Sequence, residues 1–219
     1  MKLTALQYGV TELTQAMIFP DGAWDKKDPI SLLFFLLEDG GRKLLFDVGC
    51  DTMGGFDLFQ FETPDQTLKK YGVDPSEITD VFISHAHHDH IDGLHYYPQA
   101  NIYIHEAELP EAEKYLPANA RLHTFQDEFR YSEDVVFRHI GGHSAGSSVA
   151  LITRPESTWV LCGDECYSHE NLKKQIPTGS STCPQNSLHF VQEYGKPGYT
   201  PVIYHDPDLI GMLGTKVLF

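Results

Sequence analysis

The histidines of this chain are crowded into one short segment. Four of its twelve histidines fall within the six residues from His85 to His90, in the sequence Ser84-His-Ala-His-His-Asp-His-Ile-Asp-Gly93. Several adjacent histidines have no packing rationale in an apolar core, whereas histidine is the commonest metal ligand in proteins. We therefore expect a metal-binding loop, to which the rest of the fold must bring further ligands.

The spacing within this segment predicts two pairs of ligands. The segment begins at the end of a predicted strand, 78–84, where alternate residues face opposite sides. A loop must therefore bring His85 and His87 together. Asp89 and His90 lie one helical turn later and can turn back toward a second point in the same pocket. The pattern H-x-H-x-D-H thus offers donors to two metal ions.

Other strand ends are expected to supply the missing donors, because a tetrahedral site needs three or four of them. His143, Asp164 and His205 each follow an apolar segment that predicts a strand. Isolated histidines are more often structural, through surface exposure or hydrogen bonding. The histidines interpreted in this way are His95, His105, His123, His139 and His189.

The order of predicted elements indicates an α+β fold, because strands outnumber helices and come in hairpin-like groups. Two packed sheets flanked by helices are expected, in one domain that spans residues 1–219. Strands are predicted at 31–37, 43–47, 78–84, 101–105, 121–125, 134–140, 148–153, 158–161 and 201–204, and helices at 63–72, 106–115 and 185–194.

The charge balance excludes some classes of partner. With 16 Lys+Arg against 31 Asp+Glu, the formal net charge is −15, which disfavours binding to a nucleic acid. The longest apolar run, Leu32 to Leu37, is far shorter than the ~20 residues of a membrane helix. No signal peptide is visible and the four cysteines show no CxxC spacing, so we expect free thiols and a cytoplasmic protein with no membrane partner.

The ordered set of motifs resembles the metallo-β-lactamase superfamily, whose signature is H-x-H-x-D-H followed by separate histidine, aspartate and histidine motifs. The resemblance runs from Asp47 to His205. It implies an αββα sandwich of two mixed β-sheets flanked by helices, with the site at the edge between the sheets. Asp164 would bridge two metals, and Asp47 would be a supporting carboxylate near the histidine loop. The implied ligands are His85, His87 and His143 for the first metal and Asp89, His90 and His205 for the second.

Within the superfamily, the sequence is most similar to N-acyl homoserine lactone lactonases, the quorum-quenching enzymes. It shares their hairpin before an Asp-x-Gly motif and their tyrosine three residues after the bridging aspartate, here Tyr167. It departs from them at Gly141 and Ala145, where prolines commonly flank the third histidine motif. True β-lactamases generally lack the bridging aspartate. Ribonuclease Z-like enzymes use a tRNA-binding arm, and the acidic charge weighs against that substrate.

The resemblance implies a hydrolase that opens a lactone or cleaves a small ester. A metal-bridging hydroxide would attack the carbonyl, because two metals lower the pKa of a shared water from ~15.7 toward neutrality. Tyr167 would donate a hydrogen bond to the substrate, and Asp89 would pass a proton to the leaving oxygen. The loop aromatics and Met17 could form an apolar channel for an acyl chain. The aromatics are Phe19, Trp24, Phe56, Phe59 and Phe61.

The cofactors expected are two divalent metal ions, with zinc as the default and iron or manganese open, because the nitrogen and oxygen donor set suits all three. A small uncharged or weakly charged ester or lactone is the expected substrate, and the protein is expected to be a monomer or a homodimer. Three alternatives stay open: a glyoxalase II-like thioesterase, an iron-dependent oxidoreductase of the same fold, and a metal-dependent binding module.

Overall fold

The computed structural model describes residues 1–210 and 214–219. Its strands form one sheet of seven and one of five. The strands are β1 (Lys2–Thr14), β2 (Lys27–Asp39), β3 (Arg42–Phe46), β4 (Asp80–Ile83), β5 (Asn101–His105), β6 (Arg121–Phe125), β7 (Glu128–Arg130), β8 (Val135–His139), β9 (Ser148–Thr153), β10 (Thr158–Leu161), β11 (Tyr199–Val202) and β12 (Gly214–Val217).

Both sheets are mixed. The larger has the order β12-β1-β2-β3-β4-β5-β6, in which β12 to β3 pair antiparallel and β3 to β6 pair parallel. The smaller has the order β11-β10-β9-β8-β7, and only the β10–β11 pair is parallel. Neighbouring parallel strands present their carboxyl ends at one edge, so the loops after β3 and β4 emerge side by side.

The two sheets pack face to face around an apolar core. Residues of one sheet face that core at alternate positions, as a strand period of two requires. At its centre the rings of Phe82 on β4 and Phe137 on β8 stack, with their centroids 4.2 Å apart. Phe46, Ile152 and Leu161 are fully buried around them. This core holds β4 and β8 in place, and the loops that follow these two strands contain predicted metal ligands.

Helices cover the outer faces of the sheets. The helices are α1 (Gln15–Ile18), α2 (Pro64–Tyr71), α3 (His88–Ile91), α4 (Leu109–Ala112), α5 (His169–Lys174) and α6 (Pro184–Tyr194). Phe190 and Val191 of α6 pack on the smaller sheet, and Leu68 of α2 packs on the larger. Within the described part of the chain, no helix is long and apolar enough to cross a membrane.

The architecture confirms the predicted sandwich of two mixed sheets with flanking helices, although several element bounds differ. The predicted strand at 43–47 ends at Phe46, because Asp47 adopts a left-handed conformation with φ 56°. The predicted helix at 106–115 is broken into α4 and two 3₁₀ turns, and it contains Pro110, which has no amide hydrogen to continue a helix.

The sequence pattern predicts no strand at β1, β7 or β12 and no helix at α1, α3 or α5. The thirteen residues of β1 include Thr4 and Thr11, which are buried polar residues and interrupt the apolar pattern. Both hydroxyls have partners far away in sequence: Thr4 Oγ1 lies 3.1 Å from the Tyr71 hydroxyl, and Thr11 Oγ1 donates to the carbonyl oxygen of Asp57. Tertiary hydrogen bonds therefore satisfy the polar side chains of a strand whose sequence pattern does not predict burial.

Candidate metal centre

The seven predicted ligands converge at one edge of the sandwich. Four of them lie in α3 and in the loop that precedes it, directly after strand β4 of the larger sheet. The other three follow β8, β10 and β11 of the smaller sheet, one after each strand. The side chains form two neighbouring groups: His85, His87, His143 and Asp164 make the first, and Asp89, His90 and His205 make the second.

The first group has the dimensions of a tetrahedral site. His87 Nδ1 lies 3.0 Å from His85 Nε2 and 2.9 Å from His143 Nε2. Asp164 Oδ2 lies 3.5 Å from His143 Nε2 and 3.8 Å from His85 Nε2. Zinc–nitrogen bonds of about 2.0–2.1 Å give tetrahedral edges of about 3.3–3.4 Å. These four donors are therefore close to the spacing that a single metal ion requires.

His85 and His143 of this group are held in the form that binds metal. His85 Nδ1 lies 3.0 Å from Ser84 Oγ, which leaves Nε2 to face the cluster. Burial lowers the pKa of His85 well below its ordinary value and lowers that of His143 to about 4. Both imidazoles are consequently neutral at pH 7, and a neutral imidazole offers a lone pair to a cation.

The second group is oriented by hydrogen bonds on the far side of each ring. His90 Nδ1 donates to Asp47 Oδ2 at 2.7 Å, and His205 Nδ1 donates to the carbonyl oxygen of Ser31 at 3.0 Å. Their Nε2 atoms therefore point into the cluster, each 3.7 Å from Asp89 Oδ2. A hydrogen bond of this kind fixes the tautomer and the ring orientation of a ligating histidine.

Asp164 joins the two groups. Its Oδ1 lies 3.1 Å from both His90 Nε2 and His205 Nε2, while Oδ2 faces the first group. Asp164 Oδ1 and His90 Nε2 are buried, and neither has a hydrogen-bond partner among the described residues. Lone pairs that face each other at this distance need a cation between them. The carboxylates, Asp164 foremost, outweigh burial and raise the pKa of His90 and of His205.

The donor set fits divalent metal ions. It consists of five imidazoles and two carboxylates, which are ligands for zinc, iron and manganese alike. The carboxylate of Asp164 is strongly acidic, because His90 and His205 outweigh burial and hold its pKa well below its ordinary value. The arrangement can therefore hold divalent cations at pH 7.

Asp47 supports the histidine loop from behind, as predicted. Its carboxylate accepts hydrogen bonds from the Ser84 amide and the Ser84 hydroxyl, both at 2.7 Å, in addition to that from His90. Its left-handed backbone, uncommon outside glycine, aims the carboxylate at the loop. The loop is also pressed close to the chain after β3: a Cβ on Gly93 would lie 2.3 Å from the carbonyl oxygen of Val48.

The two residues predicted to act on substrate also lie at the cluster. The Tyr167 hydroxyl donates to Asp164 Oδ2 at 2.5 Å, and its ring stacks on His205 with centroids 5.5 Å apart. Burial, followed by the charge of Asp164, raises the pKa of Tyr167 well above its ordinary value, so the hydroxyl stays protonated. Asp89 is partly exposed, and its carboxylate borders the second group.

Neighbouring polar residues of the histidine loop make other contacts. His88 Nε2 donates to the carbonyl oxygen of Thr52 at 2.7 Å, and Asp92 accepts from the Asp51 amide at 3.0 Å. His105, predicted to be structural, donates from Nε2 to the carbonyl oxygen of Gln126 at 2.6 Å. These side chains are thus directed away from the two groups.

Sequence reasoning missed the residues that hold the ligands. Ser31 grips the His205 loop twice, since its carbonyl accepts from His205 and its hydroxyl donates to the carbonyl oxygen of Asp206 at 2.7 Å. Ser84 bridges Asp47 and His85. The one available signal was polarity: each is a serine at the end of an apolar strand segment, and both are fully buried.

Comparison with known proteins connects this geometry to a family. A sequence model of the Metallo-beta-lactamase superfamily matches residues 32–193. An N-acyl homoserine lactonase of Bacillus sp is 28% identical over 118 residues, which are 50% of this chain and 47% of the relative. An N-acyl homoserine lactonase of Bacillus cereus is 29% identical over 118 residues, with the same coverage. The matched segment thus spans about half the length of these curated relatives.

Solved structures share the fold over nearly the whole chain. An N-acyl homoserine lactone hydrolase, solved with the product N-hexanoyl-L-homoserine at its catalytic metal center, superposes with a TM-score of 0.82 at 19% identity and covers 94% of each chain. AidC, a dizinc quorum-quenching lactonase, superposes with a TM-score of 0.72 at 16% identity and covers 99% of this chain and 93% of its own. At such identities the likeness establishes the architecture.

Proposed function

Because the chain belongs to the metallo-beta-lactamase superfamily and has its fold, we propose that it is a dinuclear metal-dependent hydrolase that opens a lactone or cleaves a small ester. The proposed ligands of the first ion are His85, His87 and His143, and those of the second are Asp89, His90 and His205. Asp164 is proposed to bridge the two ions.

The position of Asp164 carries this proposal. One oxygen of its carboxylate faces two histidines of the second group, and the other faces two histidines of the first. A single buried carboxylate shared between one group of three imidazoles and another of two imidazoles and a carboxylate is the arrangement of a two-metal site. A structural zinc site would instead be closed by four ligands around one ion.

Bound divalent ions would supply an activated water and polarise the carbonyl oxygen of a substrate. The protein's own side chains then have two tasks. The Tyr167 hydroxyl, which stays protonated, can donate a hydrogen bond to the substrate carbonyl as negative charge develops there. The Asp89 carboxylate, partly exposed at the rim of the cluster, can carry a proton to the departing oxygen.

The surroundings of Tyr167 favour a substrate with an apolar portion. Its ring packs in an apolar cluster with Leu13, Ile18 and Ile30, and Met17 and Phe19 lie against this cluster, partly buried. Trp24, with 77% of its surface exposed, lies in the loop that follows α1. Apolar walls with a few convergent polar groups are typical of small-molecule sites. An acyl homoserine lactone has both features, because it joins an apolar acyl chain to a lactone ring that can be hydrolysed.

Hydrolysis assays on purified protein with defined metal content test the proposal. The protein would be stripped with a chelator, reloaded with zinc, iron or manganese, and assayed against acyl homoserine lactones of several chain lengths, simple esters, thioesters and phosphodiesters. We expect two ions per chain and metal-dependent opening of a lactone or ester. Preference for a thioester would favour the glyoxalase II-like alternative. Absence of turnover with every metal and every substrate class would refute the proposed function.

A further inference from the structure

Glu165 is a buried carboxylate directly behind the first group of ligands. Only 1% of its surface is exposed, and among residues 1–210 and 214–219 no basic side chain pairs with it. Its partners are neutral donors instead. The amides of Gly142 and His143 each donate to Oε1 at 3.1 Å, the Ser147 hydroxyl makes a short hydrogen bond to the same oxygen, and the Ser187 hydroxyl donates to Oε2 at 3.0 Å.

These hydrogen bonds attach the backbone of His143 and its loop to Glu165. Three of the four donors belong to the loop 141–147, and one of them is the amide of His143 itself. Glu165 follows Asp164 directly in the chain. Glu165 therefore links two proposed ligands: it follows Asp164 in the chain, and its side chain accepts a hydrogen bond from the backbone amide of His143. The fourth donor, Ser187 on α6, anchors the carboxylate to the helix behind.

The loop has no room for a side chain at position 142. A Cβ on Gly142 would lie 2.2 Å from Glu165 Oε2 and 2.3 Å from Ser187 Oγ, so only glycine allows this close approach. Glycines leave a loop conformationally free unless contacts hold it, and this loop contains Gly141, Gly142 and Gly146. The carboxylate supplies the restraint that its backbone lacks.

Glu108 provides a second attachment on the other side of the same loop. Its carboxylate accepts from the Gly146 amide at 2.7 Å and from the Ser144 hydroxyl at 2.6 Å. It also accepts from the Ala86 amide at 2.7 Å, and Ala86 lies between His85 and His87. Glu108 thus ties the loop of the first two histidines to the loop of the third.

We propose that Glu165, together with Glu108, is a positioning residue that holds His143 in the orientation that binds the first metal ion. The proposal rests on the metal site described under the proposed function. Hydrogen bonds that orient metal ligands typically contribute about 10–100-fold to metal affinity. Loss of the Glu165 carboxylate should therefore weaken one of two binding events and leave the other close to that of the wild-type protein.

Cobalt binding tests this inference without reference to turnover. Glu165→Ala, Glu165→Gln and the wild-type protein would be titrated with Co²⁺ against a chromophoric chelator, and the visible spectrum would be recorded at each step. Asp80→Ala is the matched control, because Asp80 is also a buried carboxylate that accepts hydrogen bonds from neutral groups such as Asn101 and Tyr131, and it lies at the opposite end of β4.

For Glu165→Ala, we expect one Co²⁺ dissociation constant to rise about 10–100-fold, with an altered ligand-field spectrum. Glu165→Gln keeps an oxygen for the loop amides and can donate to Ser187, so it should recover to within about threefold of the wild type. Asp80→Ala should keep both dissociation constants. If Glu165→Ala does not fold, Gly142→Ala displaces the same carboxylate without removing it and should show the same loss.

The inference is overturned if Glu165→Ala, or Gly142→Ala in its place, binds Co²⁺ like Asp80→Ala, or if Glu165→Gln is as defective as Glu165→Ala. These outcomes are distinct from failure of the proposed function. If wild-type protein binds two Co²⁺ ions but hydrolyses nothing, the proposed function is refuted. The Co²⁺ titrations of the Glu165 variants then still decide whether Glu165 positions His143. Wild-type protein that binds no Co²⁺ refutes both.

Discussion

The Tyr167 hydroxyl can be removed with little change to its surroundings, which makes Tyr167→Phe the most informative substitution at the site. The ring is held by stacking on His205 at an interplanar angle of 19° and by packing against Leu13 and Ile30, so the phenylalanine ring should keep its place. The lost group is one hydroxyl that donates to Asp164 at 2.5 Å. A hydrogen bond to a charged acceptor contributes about 1.5–3 kcal/mol, so the metal-free variant should unfold more easily by this amount.

The effect on catalysis depends on what the hydroxyl does when substrate is present. If Tyr167 donates to the developing oxyanion, removal should lower kcat about 10²–10³-fold, equivalent to about 2.7–4 kcal/mol, while KM and metal content stay close to wild type. If it only orients Asp164, the loss should appear in metal affinity instead. Steady-state kinetics on fully metal-loaded protein, together with metal analysis, separate the two.

A matched control is available in Tyr204. Its ring is fully buried beside His90, with centroids 5.7 Å apart, but its hydroxyl has no hydrogen-bond partner among the described residues. Tyr204→Phe removes an unsatisfied buried group, so neither kcat nor the free energy of unfolding should fall. The reasoning about Tyr167 is refuted if Tyr167→Phe keeps kcat/KM within about threefold of wild type with unchanged metal affinity.

Three further substitutions test other parts of the site and its frame. Asp164→Asn removes the shared negative charge, so bound zinc measured by elemental analysis should fall below two ions per chain and hydrolysis should collapse; full occupancy with normal turnover would contradict the bridging role. Gly93→Ala places a methyl group 2.3 Å from the Val48 carbonyl oxygen, so denaturant unfolding of metal-free protein should show a loss of about 1–3 kcal/mol, whereas unchanged stability would mean that the backbone yields freely. Burial lowers the pKa of His105 below 6.5, and its neutral Nδ1 accepts from the Ala107 amide. Because the unfolded chain takes up this proton first, stability should be lost as the pH falls below 6.5, and His105→Gln should show a shallower loss in denaturant titrations at each pH; equal slopes would exclude His105 as a contributor.

The order of the motifs predicts the ligands from the sequence alone, because each candidate follows an apolar segment. His143, Asp164 and His205 are candidates on this ground, and the fold brings all three strand ends to one edge. The lengths of the strands were less predictable. Buried polar residues such as Thr11 disguise β1, and the hydrogen bonds that make them compatible with burial join residues far apart in sequence.

The residues that support the ligands were not predictable from spacing. Glu108 and Glu165 look like ordinary surface acids in the sequence, since charged residues are seldom buried without a cation. Their burial becomes reasonable only when backbone amides from distant loops are seen to surround them. A pattern of ligands along a chain indicates what binds, whereas the groups that hold those ligands still depend on the three-dimensional arrangement of loops.

The division of the donors between the sheets has a mechanical consequence. One loop of the larger sheet supplies four donors, and three separate strand ends of the smaller sheet supply one each. The distances between donors of the larger sheet and donors of the smaller sheet therefore depend on the relative position of the two sheets. The stacked rings of Phe82 and Phe137 lie between β4 and β8 in the core that joins the two sheets. We expect substitutions that change the size of these two rings to change the spacing of the donors without altering any of the seven proposed ligands.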